Sequence, residues 1–547
     1  MINIISHFSL FLFLIFYNGK FATDFFKENK FSFNFFEIAF FGLVFTSLVA
    51  QSLNFFFPLN DNIIYINFIL ILIFVYFNKK TALSIKIKKI DITYVMFFIL
   101  IILNIYGSQF SDDLDHYHYK YINNTDNTNY IIGLSHLHWA FGNSSIWLIS
   151  HSFFNFDYSR LQDIHVLNGL FFFLILGALY FDFKNIIIKK KKVSIFAPIL
   201  FFLIIFILIK YTRLKEFGLD RPAFLTLYFF ISFYIKNFLI NFQSKMISKN
   251  ILLLTYISIF LFYIKINFFF VGLIPLYYIV KYKKFNLLLS LGFLPIHFFI
   301  FSYLLKNILI SGCLIYPLPI TCFDFISWSA KEIAEKWYFL NEVLNKSWYQ
   351  YNGKLEDIDY IKNFNWINTW FIRTKVELLE FTVTTFFSLS LVFLSFKKSN
   401  LNKNLIYNFK SKEILKIFMS LFIIMFYFFI FKIPVIRMSH YLFVFFSIII
   451  IIFLFQKFEL NPKNNLITII LSLCIIFNIS KNLIRINKND FINNPYLMIN
   501  SKVYIQTQKS LGSFKYYLGW YGKAPSGNTN LDGFKYKKIL FFDTIYR

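Results

Sequence analysis

Long unbroken apolar runs alternate along this chain with short polar breaks rich in lysine. The runs "INFILILIFVYF" (66–77), "LFFFLILGALYF" (170–181) and "YLFVFFSIIIIIFLF" (441–455) are apolar on every face. They lack the single greasy stripe of a helix that covers a water-soluble core. Such a run suits a bilayer-spanning helix, which satisfies its backbone hydrogen bonds internally. Runs long enough to cross hydrocarbon number roughly twelve to fourteen, so the pattern predicts an all-α polytopic membrane protein. The opening "MINIISHFSLFLFLIFYNGKF" has the short apolar core of a signal peptide. It has no basic start and no small-residue cleavage site, so it is expected to be the first span. One stretch departs from the pattern: "KEIAEKWYFLNEVL" (331–344) has amphipathic helical spacing and is expected in a small extramembrane subdomain. No internal repeat and no Gly/Ser-rich or Pro-rich linker interrupts the rest.

Composition agrees with that pattern. Of 547 residues, 58% are hydrophobic, 23% aromatic and only 15% charged, and the mean hydropathy is +0.59. A soluble domain of this size needs far more polar surface. The net charge of +27 resembles a nucleic-acid footprint, but the lysines fall in short loops between apolar runs. There they orient the chain against anionic lipid, and no nucleic-acid partner is expected. The basic loops 78–91, 184–194, 241–250, 281–285 and 397–416 are assigned to the cytoplasm. Segments 108–164, 210–222, 305–379 and 432–440 then face the opposite side. The expected organisation is a membrane domain over 1–480, with extracytoplasmic loops 108–164 and 305–379, followed by an extracytoplasmic tail over 481–547. Three cysteines make no disulfide framework, although Cys313 and Cys322 lie in a loop where they can pair in an oxidising compartment.

That orientation gathers the scarce ionisable groups on one face. "SDDLDHYHYKYI" (111–122) holds Asp112, Asp113 and Asp115, with His116 and His118 close behind. Clustered carboxylates at a low-dielectric boundary repel one another. One of them is therefore suited to be a general base, or Asp113 with Asp115 to hold a divalent cation such as Mg or Mn. A helix cap with solvated acids is the alternative for this stretch. "GLSHLHWAFGNSSIW" (133–147) offers His136, His138, Asn143 and Ser144 as hydrogen-bond donors to a phosphate or sugar, or as a structural re-entrant loop. In "YTRLKEFGLDRPAFLTLYFF", Asp220 with Pro222 marks a helix start, which explains Asp220 as a cap but leaves Glu216 unexplained. Lys265 and Arg437 sit at the lips of apolar runs, where a cation lines a cavity, pairs with an anion or snorkels to the interface.

Taken together, these blocks resemble the GT-C superfamily of integral membrane glycosyltransferases, and most closely a group of bacterial multi-span membrane proteins. That group's first loop has D-x-x-x-Y-H, here Asp113, Tyr117 and His118. It continues with G-L-x-x-L-H-x-x-F, here Gly133, Leu134, Leu137, His138 and Phe141. N-S-S-x-W then follows as Asn143, Ser144, Ser145 and Trp147. "EFGLDRPA" (216–223), "SGCLIYPLP" (311–319), "PVIRMSH" (434–440) and "WYGKAPSG" (520–527) are similar to the group's later blocks, so the likeness spans roughly residues 100–530. The resemblance implies a bacterial inner-membrane enzyme that is inverting and takes its sugar from a polyprenyl phosphate. The acceptor, a glycan, lipid or protein, would lie on the periplasmic side. Asp113 is then the expected catalytic acid-base group, with Asp112 and Asp115 assisting. Tyr117, His118, His138, Asn143, Glu216, Asp220, Lys265 and Arg437 are the expected substrate contacts. Two other classes stay open: a surface-polysaccharide polymerase or ligase, and a polytopic transporter or flippase.

Overall fold

A computed structural model describes residues 2–25, 33–77, 91–107, 117–155, 164–189, 193–214, 218–240, 246–347, 361–401, 405–488, 507–518 and 524–547. The first half contains helices α1 (Ile2–Phe25), α2 (Phe35–Leu53), α3 (Asp61–Phe77), α4 (Ile92–Tyr106), α5 (Tyr119–Asn127), α6 (Ile146–Phe153), α7 (Ile164–Lys189) and α8 (Phe196–Lys210). Next come α9 (Asp220–Ile235), α10 (Ile247–Ile264), α11 (Leu273–Lys281), α12 (Leu294–Ser311) and α13 (Lys331–Ser347). The last are α14 (Ile367–Ser395), α15 (Leu405–Phe431), α16 (His440–Phe455) and α17 (Asn464–Lys488). Among the described residues, ten helices are long and apolar enough to cross a membrane, and four shorter apolar ones accompany them. The protein is thus mostly helical and membrane-embedded.

Burial divides the spans into a centre and a rim. In α7 and α9, 94% and 89% of the apolar window is buried by protein, against 33% in α14 and 22% in α15. Helix α8 is enclosed from Ile195 to Leu208, which is why its sequence has no polar face at all. At the rim, α1 crosses α2 where Gly19 and Gly42 meet. A Cβ on either glycine would lie within 2 Å of a backbone oxygen of the other helix.

The strands are few and short. β1 (Phe396–Leu401) pairs antiparallel with β2 (Phe458–Pro462), and Val193 bridges to Leu460 beside them. These mark the end of the bundle that carries the basic loops. At the opposite end the tail forms β3 (Thr507–Leu511), β4 (Phe514–Leu518), β5 (Ser526–Gly527), β6 (Lys535–Ile539) and β7 (Phe542–Tyr546). The tail docks on the loop before α6: Ile132 bridges to Thr544, and the Asn528 and Thr529 amides donate to the Leu137 carbonyl. Gly527 permits that approach, because a Cβ there would stand 2.4 Å from the Leu137 oxygen. Asn124 closes the join by accepting from the Ser526 amide at 2.9 Å. Between α12 and α14, the described residues 312–347 and 361–366 form a segment with no spanning helix. It holds α13, over the stretch whose spacing is amphipathic, and a disulfide joins Cys313 to Cys322.

Candidate functional site

Three interruptions of the helical spans fall at the tail-bearing end, and each carries a charged side chain. Helix α9 begins at Asp220, with Pro222 in its first turn, where a missing N–H costs nothing. Helix α10 stops at Lys265, whose backbone is extended (φ −153°, ψ 116°), and a 3-10 turn over Ile266–Gly272 leads on to α11. Arg437 sits in a second 3-10 turn, Ile436–Ser439, that feeds α16. Non-helical backbone at a membrane boundary is tolerated where protein buries it or where it lines a cavity.

The three charges meet. Lys265 Nζ donates to Asp220 Oδ1, and Arg437 Nε lies 3.7 Å from Asp220 Oδ2. The Asp220 side chain is 16% exposed and that of Arg437 is 47% exposed, so the cluster opens on the arginine side. His118, just ahead of α5, lies within electrostatic reach of Asp220. Burial pushes its imidazole down to about 3, with the Asp220 carboxylate pulling the other way. His118 is therefore neutral at physiological pH.

A buried histidine lies next to this cluster. The Tyr211 hydroxyl stands 3.2 Å from His440 Nδ1 and 3.1 Å from the Tyr228 hydroxyl. The ring stacks on Phe224 with centroids 4.6 Å apart, and its Nε2 has no hydrogen-bond partner. The charges of Lys210, Arg221, Arg437 and Lys265 all reach it. Lys210 is itself satisfied by Glu380 at 2.7 Å.

Next to His118 the first loop builds an aromatic stack. Tyr117 packs on His118 at 4.2 Å and on His138 at 6.0 Å. Trp139 follows His138, and Trp337 of α13 stacks on Trp139 at 3.3 Å. His138 is buried, and its Nδ1 accepts from the Ala140 amide at 3.1 Å. His136 contacts the Trp328 carbonyl at 3.1 Å instead, and burial pushes it down to about 4. The Asn-Ser-Ser block is a wedge. Ser145 Oγ donates to the Ile264 carbonyl at 2.8 Å, and the buried Lys306 Nζ donates to the Ser144 carbonyl at 2.8 Å. Asn143 is exposed at the end of the preceding turn.

The residues expected from sequence thus divide. Asp220, Lys265, Arg437 and His118 come together, and Tyr117 and His138 join the stack beside them. Asp112, Asp113, Asp115 and Glu216 lie outside the described residues. Among the described residues, no three His, Cys, Asp or Glu side chains form a metal-ligand group. The candidate divalent-cation ligands Asp113 and Asp115 lie outside that set. Sequence reasoning passed over His440, Tyr211 and Lys306. Lys306 carries the same signal as Lys265, a lone lysine in an apolar run, and His440 ends the quoted "PVIRMSH" block.

Neither the curated proteins nor the solved structures include a match to this chain. A family model does match it, over residues 1–443, which takes in the whole cluster around Asp220. The chain belongs to that family, whose description is a domain of unknown function (DUF8201).

Proposed function

We propose that this chain is a GT-C-type membrane glycosyltransferase, which moves a sugar from a polyprenyl phosphate to an acceptor on the extracytoplasmic side of a bacterial inner membrane. The observation that carries this reading is the meeting of Asp220, Lys265 and Arg437, from three separate span ends, with His118 within electrostatic reach. Lys265 and Arg437 both face Asp220, with Glu377 also within electrostatic reach of Arg437, and two cations at one open cluster suit a departing lipid phosphate. The carboxylate of Asp220 is clamped by both cations and is a poor proton acceptor. Its role is to hold Lys265 and Arg437 in place, and the base falls to Asp113.

In the step itself the acceptor hydroxyl gives its proton to the Asp113 carboxylate. Its oxygen bonds the anomeric carbon while the carbon–oxygen bond to phosphate breaks. The electron pair leaves on the phosphate, facing Lys265 and Arg437. Charge and redox chemistry support this choice of face. The basic loops lie at the other end, and the Cys313–Cys322 disulfide, at the same end as Asp220, fits an oxidising compartment.

Mass spectrometry of surface glycolipids, with and without the gene, should show a difference of one sugar residue. Asp113→Asn should abolish that difference while the protein still accumulates in the membrane. Retained transfer by that variant removes Asp113 from the mechanism. A transporter is the second reading, favoured by the break of α10 at Lys265, since broken helices carry ions in transporters. Substrate flux in proteoliposomes with no new glycosidic bond would select it.

A further inference from the structure

The tail ends in a hairpin whose tip breaks two local rules at once. Strands β6 and β7 pair from Lys535 with Tyr546 to Ile539 with Phe542, which leaves Leu540 and Phe541 as a two-residue turn. Leu540 has φ +57°, in the left-handed region where such turns usually place glycine or asparagine. A leucine is strained there, and its side chain is also 84% exposed. Phe541 beside it is 43% exposed. An apolar residue held at a position better suited to glycine, and left uncovered by the rest of the fold, marks a contact made outside the protein.

The tip is held at the boundary of the membrane. The Phe541 ring lies 6.0 Å from that of Phe56, which with Phe57 sits in the turn joining the apolar helices α2 and α3. Phe56 and Phe57 are exposed as well, and so are Tyr65, Ile66, Ile69 and Leu70 of α3, as suits a rim helix that faces lipid. The hairpin is fixed in that place. The Ile132 amide donates to the Asp543 carbonyl at 2.8 Å and the Ile545 amide to the Ile132 carbonyl at 2.9 Å, while Asn129 Nδ2 donates to the Phe541 carbonyl at 3.3 Å. Behind the tip, Lys535, Lys537 and Lys538 of β6 are exposed. The one acid of the hairpin, Asp543, accepts from the Tyr536 hydroxyl at 2.8 Å. An apolar tip with cations just behind it is the chemistry of an interfacial anchor: the tip enters the acyl boundary and the ammonium groups reach lipid phosphates.

We propose that the β6–β7 hairpin is a membrane anchor: Leu540 and Phe541, together with Phe56 and Phe57, dip into the leaflet at the tail-bearing end, and Lys535, Lys537 and Lys538 take its anionic headgroups. The partner is the protein's own bilayer, because the apolar tip adjoins the turn between two apolar helices and its cationic flank matches the charge of lipid phosphates. Removing the Leu540 side chain from water offsets the strain of its backbone. The hairpin is bonded to Ile132, so the anchor also fixes the height of the loop that carries His138. Lipid contact is independent of sugar transfer, and it holds or falls separately.

The test uses the full chain in nanodiscs of phosphatidylcholine and phosphatidylglycerol. A nitroxide label is attached at Leu540→Cys in a Cys474→Ala background, where the remaining cysteines are joined to each other. Spin relaxation by oxygen, which concentrates among acyl chains, should be strong, and relaxation by a water-soluble nickel chelate should be weak. Should Leu540→Cys fail to fold, Phe541→Cys carries the label at the other turn position, where φ is not positive. In a second arm, native mass spectrometry counts the lipids kept after release from the discs. The triple variant Lys535→Gln/Lys537→Gln/Lys538→Gln should keep fewer phosphatidylglycerol molecules than the wild type. A label that the nickel chelate reaches freely overturns the anchor, because the tip then stands in water. A label shielded from both reagents overturns it equally, because the tip is then covered by another segment of this chain or by a second copy. Equal phosphatidylglycerol retention by wild type and triple variant overturns the role of the lysines.

Discussion

Helix α9 has a buried ion cluster at each end, and the two are built on opposite plans. Asp220 and Lys236 are sixteen residues apart, about 24 Å along the axis, close to the thickness of the hydrocarbon layer. At the far end Lys236 bridges Glu37 at 2.7 Å and Asp182 at 2.9 Å, tying together α2, α7 and the end of α9. There two acids share one cation. The Glu37 side chain is 4% exposed, and it also accepts from the Asn34 amide in a capping box. At the near end one acid shares two cations, and Arg437 is half open to solvent. The closed cluster, in which Glu37 is also committed to a helix cap, has the character of a tie between spans. The open cluster presents two cations and a route to them. Sign and access, more than burial itself, separate a brace from a binding site.

The comparison breaks most sharply at Lys236. Lys236→Met leaves two carboxylates buried against each other, and should cost about 3–5 kcal/mol of stability. A steep loss of folded, monodisperse protein in detergent is the expected readout. Neutralising all three partners together, Glu37→Gln/Asp182→Asn/Lys236→Met, should recover much of that loss. Asp220→Asn should cost less, about 1–3 kcal/mol, because Arg437 keeps its access to water. Its larger consequence is on function: with the two cations no longer held, sugar transfer should fall steeply while the protein stays folded. Equal destabilisation by Lys236→Met and Asp220→Asn would erase the distinction drawn here. Arg437→Gln should shift stability by no more than about 1 kcal/mol, since half of its side chain already meets water. It should nonetheless weaken the response to a lipid-phosphate donor.

The smallest effect at neutral pH comes from the buried histidines. His118 is held at about 3 and His136 at about 4, against 6.5 in the unfolded chain. Between those values the unfolded chain binds protons that the folded chain refuses, so stability is full above pH 6.5 and declines as the pH falls below it. Thermal melts from pH 7.5 to 5 should show that decline, and His118→Asn should flatten it. A profile unchanged by that substitution would mean that folding does not shift the His118 titration.

Much of the near cluster is legible in the chain. Lys265 and Arg437 are conspicuous because a cation at the lip of an apolar run is expensive wherever it sits. Asp220 is legible as a helix start from Pro222 two positions on. The same reasoning assigned Asp220 to capping, yet its carboxylate is taken up by Lys265 and Arg437 instead. The far cluster passed unnoticed, because Glu37, Asp182 and Lys236 each look like an ordinary charge near a span end. Tyr211 was equally hidden, since one aromatic residue at the end of an apolar run carries no periodic signal, whereas His440 closes the quoted "PVIRMSH" block.

By itself the sequence determined that the chain lives in lipid, which end carries the basic loops, and where α9 starts. Those properties follow from local composition and short-range backbone chemistry, which are written in consecutive residues. Only the tertiary structure decided which charges meet and how open each cluster is. Lys265 lies 45 positions from the Asp220 it binds, and Arg485 reaches Thr212 across 273. Contacts at such separations are set by how whole helices pack. That packing depends on the shapes of many buried side chains at once, and no local pattern encodes it.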